Sequence, residues 1–581
     1  MGVDDNLVKA LAAGYERIVA WADILDRINV FPVPDGDTGR NLALTLSVLR
    51  NASGDADSIS REVLMAARGN SGNIAARFLA GLLKGKDLAS LPAAAETGRD
   101  LAYQAVPNPQ PGTMLSLFDA LVKSLCKNPP EEQEKWAQAI VHDLEEAVRM
   151  TTEQLPELKR AGVVDAGALG MLVFLGPLFF TLAGRTEPYF RFADDLKSTL
   201  SLSTAWQDRE YQGYCLDVVI QTKQEGPEGI ERILNVGESV IATPGDGFFK
   251  VHLHTLDRER TKRDLTNMGA ILSWAEDDLA EQTAQFGKNI KTPAVHIMTD
   301  AAGSITRDLA RSLGITLLNS YITIGAHSLP ETCVDASQLF AAMKAGIRIS
   351  TSQASDVERF ESYHNTLKLY ERVLYLCVGS FYTGNYDSAM KWKGENDPEN
   401  RMTVIDTGAA SGKLGLAVRL VADFSFRVDE PEEVVAFARR TIPKVQEYLF
   451  LERLQFLAAG GRMSKTGAFF GDVLRLKPIV SPCPDGVRKM GVVRSTKEQV
   501  KFAIRHLEQE LPKDRKSILL LEYSDNRAWL EEVLKPEIEA KFPLTAVTLQ
   551  LLSLTSAAHM GPGSWGMALL TDFPKNGNAD A

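Results

Sequence analysis

The hydrophobic pattern changes its period along this chain of 581 residues, and that change restricts the possible folds more than any single motif. From residue 5 to about 195, apolar residues recur at steps of three and four, which predicts amphipathic helices. The clearest runs are at 5–25, 59–84, 113–126, 135–154 and 168–183. From about residue 205 apolar and polar residues alternate, which is typical of β-strands. We expect strands at 214–221, 239–242 and 248–254, then a helix from about Leu272 to Phe286.

After Pro293, short apolar segments alternate with amphipathic helices, an order that is typical of α/β layers. The candidate strands are 294–298, 315–318, 373–378, 403–405, 517–521 and 544–549. The sequence therefore predicts a multidomain protein. Its expected parts are an all-α helical bundle at 1–200, a small α+β domain at 201–290 and an α/β domain at 291–581.

Residues 166–184 form an uncharged stretch, rich in Leu, Phe and Gly, that approaches the length of a membrane-spanning helix. Pro177 interrupts this stretch and Asp165 adjoins it. Because the rest of the chain has no membrane-like segment, we expect a buried, broken helix that closes the first domain.

The composition argues against some classes of function. A formal net charge of −11, with no long basic run, argues against nucleic acid as the main partner. The five cysteines are widely separated, which disfavours a disulfide framework and favours a reducing compartment. The first residues contain neither a basic leader nor an apolar stretch, so we expect a cytoplasmic protein without an integral membrane segment.

The segment from Asn29 to Asn41 places two carboxylates, Asp35 and Asp37, one residue apart within a turn rich in Pro and Gly. A locally extended backbone would direct both side chains the same way, and paired negative charges need a cation. Hard oxygen ligands favour Mg²⁺, which usually accompanies phosphates in proteins. An Asp/Gly turn that solvates its own charges is the alternative, and it stays open for this motif on its own.

Three further Gly-containing segments follow at 68–73, 108–115 and 162–170. The Gly-Asn-Ser-Gly of the first exposes backbone N–H groups and a hydroxyl to a phosphate, and the Gly-Thr-Met of the second lets a base approach the backbone. Each segment alone could also be a helix cap or an interhelical turn.

Together and in this order, the four segments resemble the nucleotide-binding, DhaL-like domain of the dihydroxyacetone-kinase family. The resemblance implies an ATP site with Mg²⁺ as its cofactor. It also implies that Asn29, Asp35 and Asp37 bind the metal, and that the two aspartates are catalytic. The residues expected to bind ATP are Thr38, Asn41, Ser71, Gly72, Asn73, Thr113, Met114, Asp165 and Gly167.

Several segments between 292 and 575 resemble the DegV family of fatty-acid-binding proteins. They are 299–304, 350–355, 379–386, 404–407, 457–464 and 559–563. The chain departs from the family pattern at Ala354, Thr383 and Met560, and at Ala301 and Gly303, where hydroxyls are missing. Burial of a fatty acid contributes about 0.8 kcal/mol per methylene, while its carboxylate still needs hydrogen bonds. The resemblance therefore implies a deep apolar slot with a polar end.

The residues that this resemblance assigns to the fatty acid are Thr351, Ser352, Thr383, Gly384, Arg462 and His559. The threonine hydroxyls could donate to the carboxylate. Arg462 and His559 would add positive charge where phosphate charge develops, which makes them catalytic candidates. Without the resemblance, Arg462 would be interpreted as a surface arginine on a turn and His559 as a core histidine.

His252 and His254 alternate on a predicted strand, which places both imidazoles on one face, and Cys215 lies on another strand that could pair nearby. One Cys and two His suit Zn²⁺. The segment also resembles the middle region of the kinase subunit of bacterial fatty acid kinases, which favours a zinc site. Paired histidines on strands are also common as structural residues, and that interpretation stays open.

Taken together, the resemblances imply a fatty acid kinase that converts ATP and a fatty acid to an acyl phosphate and ADP. ATP would bind within 1–290 and the fatty acid within 292–575. We expect a homodimer, with transient contact to a membrane surface or an acyltransferase. The alternatives are a kinase for a small hydroxyketone such as dihydroxyacetone, and a lipid-binding or regulatory protein with a degenerate kinase half.

Overall fold

The computed structural model describes residues 5–130, 132–185, 192–203, 206, 211–221, 232–245, 247–285, 293–453, 455–456 and 476–571. The chain forms two compact units, which we call unit 1 (Met1–Ile290) and unit 2 (Lys291–Ala581). Cysteines 126, 215, 333, 377 and 483 are all free. In the described ranges, every helix is too short or too polar to cross a membrane.

Unit 1 begins with a helical bundle, as the period of three and four predicts. Its helices are α1 (Asp5–Arg27), α2 (Thr38–Leu46), α3 (Ala56–Ala66), α4 (Gly69–Leu82), α5 (Leu91–Ala105), α6 (Met114–Lys127), α7 (Gln133–Gln154), α8 (Pro156–Ala161), α9 (Ala166–Leu182) and α10 (Phe192–Asp195). The predicted run at 59–84 is two helices, because the chain leaves the helical conformation at Ala67 and Arg68.

Helix α9 is the centre of the bundle. Every residue from Ala166 to Phe180 is buried, and α1 packs along it. The expectation of a buried helix is therefore confirmed, but the expected break is wrong, since Pro177 lies inside one continuous helix. Burial on all sides explains the uniformly apolar sequence.

A four-stranded antiparallel sheet follows, with strand order β2-β3-β1-β4. Its strands are β1 (Tyr214–Gln221), β2 (Glu238–Pro244), β3 (Phe248–Thr255) and β4 (Ala270–Asp278), and its helices are α11 (Arg258–Met268) and α12 (Leu279–Gln285). One face of the sheet is apolar and packs against α11 through residues such as Leu216, Val218, Val251 and Leu265. The opposite face carries polar side chains. The strands predicted between 205 and 255 are therefore confirmed.

The predicted helix from Leu272 to Phe286 is wrong over its first half. Residues Ala270–Asp278 form β4, and the helix begins only at Leu279. β4 pairs with β1 along its whole length, from Ala270 opposite Gln221 to Asp278 opposite Tyr214. Backbone pairing along β1 outweighs the helical preference of Ala, Leu and Glu in this segment.

Unit 2 contains mixed α/β layers, which confirms the predicted class. Its strands are β5 (His296–Asp300), β6 (Thr316–Leu318), β7 (Ser320–Ile324), β8 (His327–Pro330), β9 (Ile349–Gln353), β10 (Val373–Cys377), β11 (Met402–Asp406), β12 (Gln446–Phe450), β13 (Lys477–Cys483), β14 (Gly486–Val493), β15 (Ser517–Tyr523), β16 (Thr545–Leu551) and β17 (Trp565–Leu570). Its helices are α13 (Arg307–Leu313), α14 (Ala336–Lys344), α15 (Asp356–Leu369), α16 (Asn385–Asn396), α17 (Ser411–Ser425), α18 (Pro431–Thr441), α19 (Thr496–Glu510), α20 (Arg527–Trp529), α21 (Lys535–Lys541) and α22 (Leu554–Met560), with a π-helical turn at Leu530–Leu534.

Three sheets organise unit 2. Their strand orders are β11-β10-β5-β6, β14-β13-β12-β17-β15-β16 and β8-β7-β9. Helix α17 packs between the first two, where Leu414 and Val418 join one apolar cluster with Leu376 of β10 and Leu520 of β15. The third sheet carries β9, whose residues include the predicted Thr351 and Ser352.

Candidate functional site

The turn between α1 and α2 holds the two carboxylates that the sequence singles out. Gly36 lies between Asp35 and Asp37 with a φ of 64°, a conformation that favours glycine. Asn29 supports the turn, since its Nδ2 donates a hydrogen bond to Asp35 Oδ1 at 2.5 Å. The three predicted magnesium ligands therefore lie together in one short segment.

Asp35 is buried and Asp37 is half-buried. When both are ionised, their negative charges repel each other. Burial raises the pKa of Asp35 well above its usual range, and the charge on Asp37 raises this pKa further. Burial also raises the pKa of Asp37, while nearby His252 acts in the opposite direction. A divalent cation would offset the charge of the pair, so these residues fit Mg²⁺.

The carboxylates border a cavity of about 490 Å³ within unit 1. Of the residues predicted to bind magnesium or ATP, the cavity is lined by Asn29, Asp35, Asp37, Thr38, Ser71, Thr113, Met114, Asp165 and Gly167. These residues come from four separate segments of the sequence, and the fold brings them to one place.

Three predicted ATP ligands, Asn41, Gly72 and Asn73, lie behind this lining. Asn73 Nδ2 donates to the backbone oxygen of Gly69 at 2.8 Å. Asn41 also packs against Gly69, where an added Cβ would come within 2.1 Å of Asn41 Nδ2. At Gly72, a Cβ would come within 2.2 Å of the Thr45 hydroxyl. In the structure these side chains and this close packing hold the loop that lines the cavity.

Four helices begin at the cavity. α2 starts at Thr38, α4 at Gly69, α6 at Met114 and α9 directly after Asp165, and all four of these residues line the cavity. The first N–H groups of a helix lack partners inside the helix, and the helix dipole makes this end positive. Converging N-termini therefore suit an anionic ligand such as the phosphates of a nucleotide.

Asp165 caps α9, because its carboxylate accepts a hydrogen bond from the Ala168 backbone N–H at 2.7 Å. Burial raises the pKa of Asp165 to about 7, although hydrogen bonds from backbone N–H groups act against this rise. The backbone donors are Gly167 and Ala168 of α9 and Met114 of α6, so Asp165 links the starts of these two helices at the cavity.

The sheet of unit 1 completes the cavity. Ser239 and Ile241 of β2 and His252 of β3 line it, opposite the helical bundle. The polar face of the sheet therefore points toward the Asp35 turn. The same orientation explains why His252 influences the pKa of Asp37.

The predicted zinc ligands also lie together. One potential ligand atom each from Cys215, His252 and His254 lies within 4.8 Å of the others, and all three side chains are buried. Burial lowers the pKa of His254 to about 3, so its imidazole is neutral near pH 7, the form that binds metals. Among the described residues, His254 Nε2 is buried without a hydrogen-bond partner. Burial and the nearby charge of Asp37 raise the pKa of Cys215, so its thiolate would need a cation. This donor set fits Zn²⁺.

Sequence reasoning missed Asp217, which lies on β1 opposite His252. Its carboxylate accepts a hydrogen bond from the Gly69 N–H at 3.1 Å and lies 3.4 Å from His252 Nδ1. Burial alone would raise the pKa of Asp217, but His252, Lys250 and Arg68 outweigh it and lower this pKa to about 2. The alternation that places Cys215 on the polar face places Asp217 there too, so this signal was available in the sequence.

In unit 2, the structure brings two of the predicted fatty acid ligands together. Thr351 Oγ1 on β9 lies 3.0 Å from His559 Nε2 on α22. Gly384 lies beside the same strand, since an added Cβ would be 3.4 Å from the Gln353 amide oxygen. Thr383 Oγ1 accepts a hydrogen bond from the backbone N–H of Asn385 at 3.3 Å. Ser352 follows Thr351 on β9 and is exposed, and Arg462 lies outside the described residues.

Known family models match part of unit 1 and most of unit 2. Residues 32–178 match the DAK2 domain, and residues 294–572 match the model described as an uncharacterised protein of the DegV family. The chain thus joins a DAK2 domain to a DegV domain.

Among curated proteins, the chain is 30% identical over 354 residues to protein YloV of Bacillus subtilis, covering 54% of this chain and 64% of the relative. It is 28% identical over 292 residues to the uncharacterized protein MG369 homolog of Mycoplasma pneumoniae, covering 43% and 52%. The chain therefore spans between about half and two thirds of the length of these two relatives. The DegV domain-containing protein TTE1491 of Caldanaerobacter subterraneus is 24% identical over 274 residues, covering 47% and 97%.

Solved structures of DegV proteins also resemble part of the chain. A DegV family protein from Thermus thermophilus, described by its fatty acid binding, aligns with a TM-score of 0.45 and 22% identity, covering 48% of this chain and 99% of that one. DegV of Bacillus subtilis, described as a fatty acid binding protein, aligns with a TM-score of 0.45 and 18% identity, covering 48% and 100%.

Proposed function

We propose that this chain is a fatty acid kinase, which transfers the γ-phosphoryl group of ATP to a fatty acid carboxylate. Unit 1 would bind ATP with Mg²⁺, and unit 2 would hold the fatty acid. The DAK2 match supports a kinase-type domain in unit 1, and the DegV match supports a fatty acid carrier in unit 2.

One observation carries the proposal. A pair of like-charged carboxylates, Asp35 and Asp37, borders a cavity at which four helix N-termini converge. The carboxylates favour a cation and the N-termini favour an anion, so the cavity suits a metal and a phosphate together. A magnesium nucleotide has both parts.

The proposed reaction forms a bond between a carboxylate oxygen and the γ-phosphorus, and breaks the bond from that phosphorus to the β,γ-bridging oxygen, which leaves on ADP. Bound Mg²⁺ supplies charge neutralisation at the phosphates. Asn29, Asp35 and Asp37 would hold the metal side of the cavity, while the Ser71 hydroxyl and the N-terminal turn of α4 would orient the phosphates. The fatty carboxylate is already ionised at neutral pH, so the reaction needs no general base.

We include zinc in the proposal, held by Cys215, His252 and His254. Three buried ligands of this type leave a fourth position for water or another ligand. Elemental analysis of protein prepared without chelator should find about one zinc per chain, and the Cys215→Ser variant should lose it.

The test measures acyl phosphate formation, trapped with hydroxylamine, for the full chain and for Asp35→Ala and Asp37→Ala. Each substitution should lower turnover at least about a thousandfold, because it removes a ligand of the charge-neutralising metal. Fatty acid bound to unit 2, measured by mass spectrometry of extracted lipid, should not change.

The Asp264→Ala variant is the control, since the side chain of Asp264 on α11 is 44% exposed and pairs with Arg260 at 3.6 Å. Normal magnesium-dependent turnover in both Asp35→Ala and Asp37→Ala would contradict the proposed role of these two residues in binding the metal. A wild-type chain that retains fatty acid but forms no acyl phosphate would favour the lipid-binding alternative. Transfer to dihydroxyacetone instead would favour the hydroxyketone kinase.

A further inference from the structure

The sheet of unit 1 has two chemically different faces, and Asp217 lies at the centre of the polar one. Its neighbours on that face include Cys215, Lys250, His252 and His254. Asp217 itself is only 7% exposed. A carboxylate at this depth needs specific partners, because burial of an unpaired charge is unfavourable.

The two carboxylate oxygens of Asp217 have different partners. Oδ2 accepts the hydrogen bond from the Gly69 backbone N–H at 3.1 Å and lies 4.0 Å from the Arg68 guanidinium. Oδ1 lies 3.4 Å from His252 Nδ1. One side chain therefore contacts the start of α4 and a member of the Cys215, His252 and His254 cluster.

Gly69 is a restricted position in the cavity wall. It is the first residue of α4, has a φ of 61°, and approaches Asn41 so closely that a Cβ would clash. Its backbone oxygen is also held, by Asn73 Nδ2. Gly69 and Ser71 both line the cavity, so the position of the start of α4 affects where a phosphate can bind.

A carboxylate next to a histidine ring is a common arrangement behind metal ligands, since it fixes the orientation of the ring and leaves the other nitrogen for the metal. If a metal binds the cluster, His252 becomes fixed. Asp217 then becomes fixed as well, and with it the acceptor of the Gly69 N–H.

We propose that Asp217 is a positioning residue that couples metal occupancy of the Cys215, His252 and His254 cluster to nucleotide affinity at the α4 loop. This inference rests on the proposed function, because it takes the cavity to be the nucleotide site. By linkage, zinc raises the affinity for the nucleotide, and the nucleotide raises the affinity for zinc by the same factor.

The experiment uses the full chain and measures binding rather than turnover. Calorimetry determines the affinity for a non-hydrolysable ATP analogue in the presence of Mg²⁺. The measurement compares zinc-free protein with zinc-loaded protein. Zinc affinity is determined by competition with a chromogenic chelator, with and without the analogue. In the wild-type chain, zinc should raise analogue affinity at least about fivefold, within the range typical of coupled sites.

The Asp217→Asn variant keeps the size of the side chain and an oxygen that can accept from Gly69, but it removes the charge that faces His252. Its zinc affinity should fall about tenfold or more, and the coupling factor should fall to about one. Asp264→Asn makes the same chemical change at a half-exposed side chain of α11 and should keep both values.

The outcomes separate this inference from the proposed function. Analogue binding that requires Asp35 but does not respond to zinc in the wild-type chain would overturn the coupling and leave the kinase proposal intact. Coupling that persists in Asp217→Asn would show that another residue carries it. Absence of analogue binding to the wild-type chain would overturn both, and the wild-type measurements do not depend on the folding of any variant.

Discussion

Asp35 of unit 1 and Glu331 of unit 2 are both buried carboxylates, but their surroundings differ. In unit 1, Asp35 accepts from Asn29, lies against the charge of Asp37 and borders a cavity. In unit 2, Glu331 is equally buried but accepts hydrogen bonds from the Ser553 hydroxyl at 2.7 Å, the Thr555 hydroxyl at 2.7 Å and the Thr555 N–H at 3.1 Å. Asp35 therefore has a negatively charged neighbour, whereas Glu331 is surrounded by hydrogen-bond donors.

Asp300 of unit 2 follows the second pattern. Its carboxylate accepts from the Tyr375 hydroxyl at 2.8 Å, from Asn385 Nδ2 at 2.9 Å and from the Val378 N–H at 2.7 Å. Burial raises the pKa of Asp300 to about 6, against the effect of these hydrogen bonds. A buried acid is therefore not evidence of a binding site by itself. The presence of a cavity and a like-charged neighbour distinguishes the acids that suit a ligand from those that connect elements of the fold.

The largest expected effect is on the structural acid. Glu331→Ala should destabilise unit 2 by about 4 kcal/mol, because it leaves the buried hydroxyl of Ser553 and two donors of Thr555 without an acceptor. Peptide-resolved hydrogen exchange of the full chain measures this change in unit 2 separately from unit 1.

Glu331→Gln is the matched variant. Its amide oxygen still accepts from Ser553 and from the Thr555 N–H, and its NH₂ can donate to the Thr555 hydroxyl. The loss should therefore stay below about 1 kcal/mol. Equal destabilisation by Gln and Ala would show that the charge of Glu331, rather than its acceptors, stabilises the fold, and the contrast with unit 1 would fail.

A smaller effect of opposite sign is expected in unit 1. Asp35→Asn should stabilise unit 1 by about 1–2 kcal/mol in buffer with a magnesium chelator. The substitution removes the repulsion between the charges of Asp35 and Asp37 and keeps an oxygen that accepts from Asn29. The same variant should lose the stabilisation that Mg²⁺ with an ATP analogue gives to the wild-type chain. Hydrogen exchange of unit 1 peptides, with Asp264→Asn as control, measures both.

This stabilisation should depend on pH. The native pKa of Asp35 lies above its unfolded value near 3.9, so the native state binds the proton more tightly than the unfolded state does. The stability of the wild-type unit therefore falls as pH rises from about 4 through the raised pKa, and Asp35→Asn should flatten this fall. A steeper fall in the variant would mean that the carboxylate is stabilised as an anion in the metal-free protein.

The smallest expected effect concerns the neutral hydroxyls of unit 2. Thr351→Ala should weaken fatty acid retention about fivefold, equivalent to about 1 kcal/mol for one lost hydrogen bond. Thr383→Ala is the matched variant, and a similar loss is expected, because the Thr383 hydroxyl accepts from the N–H of Asn385 and keeps its own hydrogen to donate to the carboxylate. Fatty acid affinity measured by fluorescence displacement compares the two. If neither variant weakens retention, the carboxylate end of the lipid is not at β9.

Local pattern predicted much of the fold. The alternation at Tyr214–Gln221 matches β1 in full, because one of its faces packs on an apolar core and the other faces a polar site. The helix expected from Leu272 was wrong over its first half, because β4 is defined by pairing with a strand about 50 residues earlier in the chain. Pairing between distant segments leaves no signal in local periodicity.

In the candidate site, too, local motifs were predictable and contacts between distant segments were not. The Asp35 turn and the Gly69 loop were predicted from motif and resemblance, and the structure brings them to one cavity. Sequence reasoning could not predict that His252 would line this cavity, since His252 lies more than 200 residues after the Asp35 turn. It also missed Asp217, whose role depends on the contact of the sheet with α4.

The wall that His252 contributes has a consequence for how the protein can be divided. The DAK2 match ends at residue 178, before the first strand of the sheet begins at Tyr214. A fragment cut at that boundary would keep Asp35 and Asp37 but would open the cavity to water on one side. The smallest fragment that keeps a closed cavity therefore includes the sheet. A fragment that ends where the sequence similarity ends would lack one wall of the cavity.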